Sequence, residues 1–260
     1  MDINHILSRL ASPNFNILAS LGKVNGVATI SKFGENPDVS TNSTPETIWS
    51  YGGVYVFSTT AAIDTISSSN AGDSQEVTIT GQTADNIEVT QTAILNGQSK
   101  VVLTTPLFRI YRAFNSNSSD LLGDVYIYED DTIVLGVPQT ANKVRLMIPI
   151  GSNQSEMMVY TVPAGKTLVY TEGFIAISRS IAGAADFILK SRAKDGVFRV
   201  QRRISLNSQG TGTWRAVYSV ARVVSEKSDI VFECVNASAN NMGLSGGFEG
   251  FLFDNVTYGL

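Results

Sequence analysis

The sequence has very little of the chemistry on which most enzymes depend. Its 260 residues include one histidine, His5, and one cysteine, Cys234. General acid–base and nucleophilic catalysis usually rely on histidine, on cysteine or on a carboxylate pair held in a pocket. A lone cysteine forms no internal disulfide, and neither residue belongs to a metal-binding motif. We therefore expect a protein that is not an enzyme, with no catalytic residues, no cofactor and no metal site.

Charge is scarce as well. Charged residues make up 16% of the chain and hydrophobic residues 43%, and the net charge is −4. The apolar fraction is that of a globular protein, and the negative balance argues against general binding to nucleic acid. No apolar run is long enough for a transmembrane helix, and the N-terminus lacks the pattern of a signal peptide. We expect neither a membrane nor a specific nucleic acid as a partner.

What the chain does contain is a long series of short stretches in which apolar and polar residues alternate, typical of strands with one buried face. Between residues 50 and 150 the alternating pairs are Val54/Val56, Val77/Ile79, Ile87/Val89, Val101/Leu103, Val125/Ile127 and Val144/Leu146/Ile148. Turn-forming residues separate them, and Asn96-Gly97 has the composition of a hairpin turn.

A break at Gly151–Ser155 precedes a second set of eight strand-like stretches in about 100 residues, the count and spacing of a sandwich or jelly roll. The sequence thus predicts an all-β protein with two β-sandwich or jelly-roll-like domains. The first domain is predicted at 41–150 and the second at 151–260. A short helical arm, residues 1–40, precedes them.

The arm begins with a small amphipathic helix. Ile3, Ile6, Leu7 and Leu10 follow the spacing of one apolar helical face, and Pro13 ends the run. This face is too small to form a core of its own. It either covers its own domain or docks onto a neighbouring subunit.

Basic residues are concentrated in one part of the second domain. Residues 190–222 contain eight lysines and arginines but one acid, Asp195, in a chain that is otherwise acidic. Alternation places Lys190, Arg192 and Lys194 on one strand face. It places Arg199 and Arg203 on a face opposite Phe198 and Val200, which should fill the sandwich. The stripe is a solvated sheet face, a patch that meets an acidic subunit, or a contact for a polyanion.

Two smaller features have a structural interpretation. Cys234 alternates with Ile230 and Phe232, which predicts a small buried apolar side chain rather than a reactive thiol. The aromatic residues Trp49, Tyr51, Tyr55 and Phe57 are predicted to be core or interface anchors rather than exposed platforms for a sugar.

Several segments, taken in order, resemble those of a known group of proteins. They are Ile30–Asp38, Pro45–Trp49, Tyr51–Gly53, Tyr160–Lys166, Gly196–Arg199 and Gly247–Asp254. This series, which extends over residues 27–256, resembles a group of virion-associated proteins of tailed bacteriophages, especially marine and environmental podovirus-like phages. The resemblance implies a structural role in the particle, as capsid decoration (cement) or as a tail or fibre-adaptor part, and it implies no catalytic residues.

The hypothesis from the sequence is therefore a non-enzymatic component of a phage virion, assembled in the cytoplasm of the host bacterium. We expect a homo-oligomer, with a trimer as the first guess, that binds capsid or tail subunits. The candidate interface residues are Ile3, Ile6, Leu7, Leu10, Lys190, Arg192, Lys194, Arg199 and Arg203. The alternative is a glycan- or receptor-binding β-sandwich module of a phage fibre.

Overall fold

The computed structural model describes residues 15–42, 45–178, 182–209 and 212–260. Strands dominate these ranges, and the predicted all-β class is confirmed. The strands are β1 (Val27–Val39), β2 (Glu46–Thr47), β3 (Ile63–Ser68), β4 (Glu76–Gln82), β5 (Glu88–Ile94), β6 (Val101–Leu107), β7 (Arg109–Asn115), β8 (Val125–Glu129), β9 (Ile133–Val134), β10 (Val137–Pro138), β11 (Val144–Ile148), β12 (Val159–Thr161), β13 (Lys166–Ser178), β14 (Gly183–Arg192), β15 (Arg199–Ser208), β16 (Gly212–Val224), β17 (Asp229–Ala237) and β18 (Met242–Asp254).

The helical elements in the described ranges are short. They are α1 (Phe15–Ser20), α2 (Asn255–Tyr258) and a single 3-10 turn at Ala141–Lys143. None of them is long and apolar enough to cross a bilayer. The predicted arm helix, residues 3–10, lies outside the described residues.

A first pair of sheets, which we call the first sandwich, is built from residues 63–148. One sheet has the strand order β11-β8-β3-β6 and the other β5-β4-β7, and their inner faces share one hydrophobic core. Val77 and Ile79 on β4 are fully buried, as are Val125 and Ile127 on β8. Alternation in the sequence therefore marks the side chains that join these two sheets.

A second pair of sheets, which we call the second sandwich, has the strand orders β1-β18-β13-β16 and β12-β17-β14-β15, and β2 pairs with β17. Its core contains Phe187, whose ring stacks on Phe232 with centroids 5.8 Å apart. Cys234 is fully buried in the same core, as predicted, and burial raises the pKa of its thiol to about 11. The thiol is therefore protonated at neutral pH, which suits a structural role.

Strand β1 belongs to the second pair of sheets although it comes early in the chain. It pairs with β18 from Val27 opposite Phe253 to Val39 opposite Met242. Helix α1 packs on the outer face of the same sheet, where Phe15 contacts Phe251. Residues 15–39, part of the predicted arm, thus lie against the second sandwich, while the three-part division of the chain stays a prediction.

The local predictions for residues 54–57 and for Asn96-Gly97 are wrong. Residues 54–57 form no strand, and Val54 and Val56 are half exposed because the rings of Trp49 and Tyr55 occupy the inner side. Asn96 and Ser99 do form a tight turn, but β5 and β6 on either side of it enter different sheets. The turn is therefore a corner between the sheets and not a hairpin.

The aromatic cluster closes the contact between the two sandwiches. Trp49 and Tyr55 are buried with their ring centroids 5.0 Å apart, which confirms their prediction as anchors. The chain crosses close by, where Gly34 of β1 lies against the backbone of Met157 and Met158. A Cβ on Gly34 would lie 2.5 Å from the backbone nitrogen of Met158, so only glycine allows this approach.

Candidate interaction surface

Two of the predicted interface residues have partners within the chain. Lys190, near the end of β14, places its Nζ 2.6 Å from an oxygen of Glu233 on the neighbouring strand β17. Arg192 donates from Nε to Asp229 Oδ2 over 2.8 Å and lies above the rings of Phe57 and Phe198. These two positive charges are therefore paired with carboxylates within the chain.

Asp229 is the centre of a buried polar network between the sandwiches. Its carboxylate accepts from Arg109 Nε at 2.9 Å and Nη2 at 3.1 Å, and from Thr161 Oγ1 at 2.7 Å. A third Arg109 nitrogen, Nη1, donates to the carbonyl of Ser58. The Arg109–Asp229 pair joins β7 of the first sandwich to β17 of the second. Sequence reasoning missed it, because the partners are 120 residues apart and no local pattern marks them.

The remaining basic side chains divide between two faces of β15. A register shift leaves Gln201 unpaired, so that Leu189 lies opposite Arg202 and Lys190 opposite Val200. The extra residue reverses the alternation across it. The prediction that Val200 fills the sandwich is therefore wrong, and its side chain is 52% exposed. Phe198 packs against the hydrophobic core of the first sandwich, where its ring centroid lies 5.5 Å from that of Phe57.

Arg202 lies at the open side of the second sandwich. Its guanidinium lies 4.9 Å from the ring centroid of Tyr218 and 5.9 Å from that of Trp214, both on β16. Arg222 also contacts Tyr218, at 5.7 Å. Such cation–π contacts hold an arginine over an aromatic face without neutralising its charge.

Strand β16 is the last strand of its sheet and is irregular. Between the pairs Tyr170–Arg222 and Glu172–Val217, four residues of β16 lie opposite one residue of β13. Along this strand Val217, Val220 and Val223 are 73%, 75% and 69% exposed. Arg215 on the same strand pairs with Glu172, which lowers the pKa of that carboxyl.

The exposed residues of β15, β16 and the preceding turn are grouped in one region of the chain, which we call the basic edge. It consists of Lys194, Arg199, Arg203 and Arg222 together with Val217, Val220 and Val223. Among the described residues, none of its four cations forms a salt bridge. The basic edge combines positive charge with exposed apolar area, a combination typical of a surface that meets a partner.

The apolar residues predicted for the arm interface, Ile3, Ile6, Leu7 and Leu10, lie outside the described residues. Their role in assembly stays a prediction.

Comparisons with known proteins give only distant neighbours. No family model matches the chain, and no curated protein matches it. Among solved structures, the VP2 subviral particle of infectious bursal disease virus is 10% identical, with a TM-score of 0.23 over 90% of this chain and 74% of that chain. The Gx strain of the same virus gives 8% identity and a TM-score of 0.22 over the same shares of the two chains. TM-scores of this size establish no common fold, and the function proposed below does not rest on them.

Proposed function

We propose that the protein is a non-enzymatic structural subunit of a tailed-phage virion and that it assembles through its basic edge. The resemblance of the series of segments to virion-associated proteins supports a location in the particle. The observation that carries the mode of assembly is the presence of exposed valines on β16 together with exposed cations on β15, on β16 and in the preceding turn. Apolar area with a charged rim is what a stable subunit contact needs.

The partner that best fits this surface is a second copy of the chain. The predicted first domain, residues 41–150, contains eleven acidic residues and five basic ones. Its excess negative charge complements the basic edge, which steers association and fixes orientation. A contact between two different surfaces of one protein is heterologous, and it closes into a ring when the rotation allows. A trimer is the simplest such ring, and it would present one face to the capsid or tail.

Docking through side chains agrees with the irregular backbone of β16. A bulged edge strand presents no regular row of hydrogen-bonding groups to which a further strand can be added. The valines and arginines project from this edge instead. We therefore expect an interface in which side chains pack together, rather than a sheet that continues from one subunit to the next.

The apolar part of this proposal is tested by the double substitution Val217→Asp and Val220→Asp. Two carboxylates in place of exposed valines should abolish association, because they remove the apolar area and place negative charge against the acidic first domain of the next copy. The molar mass from light scattering coupled to size exclusion should fall to that of the monomer. Since both side chains are exposed in the single chain, the melting temperature should change little.

Val256→Asp is the matched control, because Val256 on α2 is 92% exposed and lies outside both the basic edge and the predicted first domain. It should leave the molar mass unchanged. A monomeric wild-type protein, or a double variant that still forms the wild-type oligomer, would contradict assembly through the basic edge.

The charged part is tested by replacing Lys194, Arg199 and Arg203 together with serine. Arg192 is left intact, since it neutralises Asp229 inside the fold. Association of the triple variant should be weaker than that of the wild type at low ionic strength, and the difference should shrink as salt is added. Screening acts over about 10 Å at 0.1 M salt. Sedimentation velocity across a salt titration measures the association of both proteins. If association of the wild type and of the triple variant depended on salt in the same way, the cations would be only solvated.

Copy number locates the subunit in the particle. Quantitative mass spectrometry of purified virions would separate a decoration protein, present in numbers comparable to the capsid subunits, from a tail or fibre adaptor, present in a few copies. Absence of the protein from purified virions would refute the structural role altogether.

A further inference from the structure

A polar cleft lies between the two sandwiches, on the side of β1. Its volume is about 490 Å³, which is in the range of small-molecule sites. One wall is formed by residues 28–33 of β1, and the other by Thr80, Glu88, Thr90 and Arg112 on the sheet β5-β4-β7. It lies apart from the basic edge, and the assembly proposed above does not use it.

The strand register aligns the side chains that form the second wall. Thr80 on β4 lies opposite Thr90 on β5 and opposite Arg112 on β7, so the three side chains form one row across the sheet. The two threonine hydroxyls are 3.3 Å apart. Glu88, two residues before Thr90, projects from the same face because side chains alternate along a strand. A guanidinium, two hydroxyls and a carboxylate thus face the cleft.

Lys32 supplies a second cation from the wall of β1. Its side chain is directed inward with only 8% of the residue exposed, and its ammonium donates to the backbone carbonyl of Tyr111. An ammonium has three protons to donate, so one carbonyl leaves capacity for a ligand. Burial lowers the pKa of Lys32 to about 7, and the nearby charge of Arg112 adds to the lowering.

Arg112 has no carboxylate partner among the described residues; its guanidinium lies 5.3 Å from the ring centroid of Phe114. Two cations in one cleft repel each other. Glu88, whose carboxylate accepts a hydrogen bond from the Tyr111 hydroxyl, is the one acidic residue of the lining, so it offsets only one of the two positive charges. A ligand that carries one negative charge would offset the other.

We propose that this cleft binds an acidic sugar, a pyranose that carries a carboxylate, as in uronic acid units of bacterial polysaccharides. The carboxylate lies between Lys32 and Arg112. The ring hydroxyls donate to Glu88 and form hydrogen bonds with Thr80 and Thr90.

The composition of the cleft favours this class over two others. A neutral sugar would leave one of the two cations without a counter-charge, and burying or crowding charge without a counter-charge is costly. A phosphate or sulfate would meet the carboxylate of Glu88, which repels a multiply charged anion and offers it no proton. A ligand with one carboxylate and several hydroxyls satisfies both walls.

Binding should also depend on pH. The groups that face Lys32 are Arg112, Glu88, Tyr111 and Tyr160. Burial raises the pKa of both tyrosines, so these phenols stay neutral at physiological pH. Lys32 is the group that titrates near 7, and a carboxylate prefers the protonated ammonium. Affinity for the ligand should therefore fall as pH rises through about 7.

The test is calorimetric titration of the full-length protein with glucuronate, with methyl glucoside and with sodium sulfate. We expect saturable binding of glucuronate, and much weaker binding of the other two. Arg112→Gln should weaken glucuronate binding at least about tenfold, as loss of a charge-assisted hydrogen bond does. Arg215→Gln, which removes an exposed arginine from β16, is the control and should leave binding unchanged.

Lys32→Met provides a second variant. Removing a buried ammonium that costs stability should leave the protein folded, so loss of binding cannot be attributed to unfolding. This variant should also lose the pH dependence near 7. If methyl glucoside bound as tightly as glucuronate, the role of the carboxylate would be refuted. If sulfate bound as tightly as glucuronate, the cleft would be a general anion site and not a site for an acidic sugar. Absence of glucuronate binding, or full binding by both cleft variants, would overturn the proposal.

Discussion

Replacing Asp229 with asparagine is expected to reduce the free energy of unfolding by about 3–5 kcal/mol, the usual cost of removing one partner from a buried ion pair. The carboxylate is 95% buried and binds both Arg109 and Arg192. Without its charge, two guanidiniums would face each other at the contact between the sandwiches. Urea unfolding followed by tryptophan fluorescence measures the change, since Trp49 is buried at the same contact.

A surface carboxylate provides the comparison. Asp130 pairs with Lys100, but both are exposed, so Asp130→Asn should leave the urea midpoint almost unchanged. Adding Arg109→Met to Asp229→Asn should recover part of the loss, because one uncompensated guanidinium is then gone. If Asp229→Asn were as stable as the wild type, the network could not be what holds the two sandwiches together.

Gly34→Ala is expected to cost about 1–3 kcal/mol, as overpacking a tightly packed site does. The new Cβ would lie 2.5 Å from the nitrogen of Met158 and 2.6 Å from the carbonyl carbon of Met157. Both are backbone atoms, so no side-chain rotation relieves the clash. Strand β1 would have to move away from the junction, and the hydrogen bond from Met157 to the carbonyl of Phe33 would lengthen. Differential scanning calorimetry would record a lower melting temperature.

Gly173→Ala is the matched control within a strand of the same sheet. The nearest atom to its Cβ would be the Tyr218 hydroxyl at 3.1 Å, the far end of a side chain that can shift. Alanine also loses less backbone entropy than glycine on folding, so this variant should be as stable as the wild type or more stable. Equal melting temperatures for the two alanine variants would show that β1 tolerates displacement at Gly34.

The sequence predicted the features of this fold that depend on local alternation. Val77 and Ile79, or the run from Val144 to Ile148, are buried where period two places them, because each strand has one face in a core. The burial of Cys234 followed from the same rule. The turn at Asn96-Gly97 shows where the rule stops, since local composition predicts that the chain reverses but not which sheet receives the next strand.

The functional surfaces were less predictable for a related reason. One unpaired residue, Gln201, changes the side on which Val200 lies, and no residue type marks such a bulge in advance. The pairing of Arg109 with Asp229 depends on the approach of two sandwiches, as does the position of Lys32 against the sheet that carries Arg112. Contacts of this kind are properties of tertiary structure, and a single sequence contains no local signal for them.

The pairing of β1 with β18 has a consequence for biosynthesis. The ribosome delivers Val27 long before its partner Phe253, whereas the strands of the first sandwich all find their partners between residues 63 and 148. The first sandwich can therefore fold during translation. The long strand β1 must wait beside it, without a partner, until nearly the whole chain has emerged. Closing such a distant contact is slow, and an exposed strand is open to the wrong partner in the meantime. In a cell that makes many copies at once, nascent chains are exposed to misassembly until that last strand arrives.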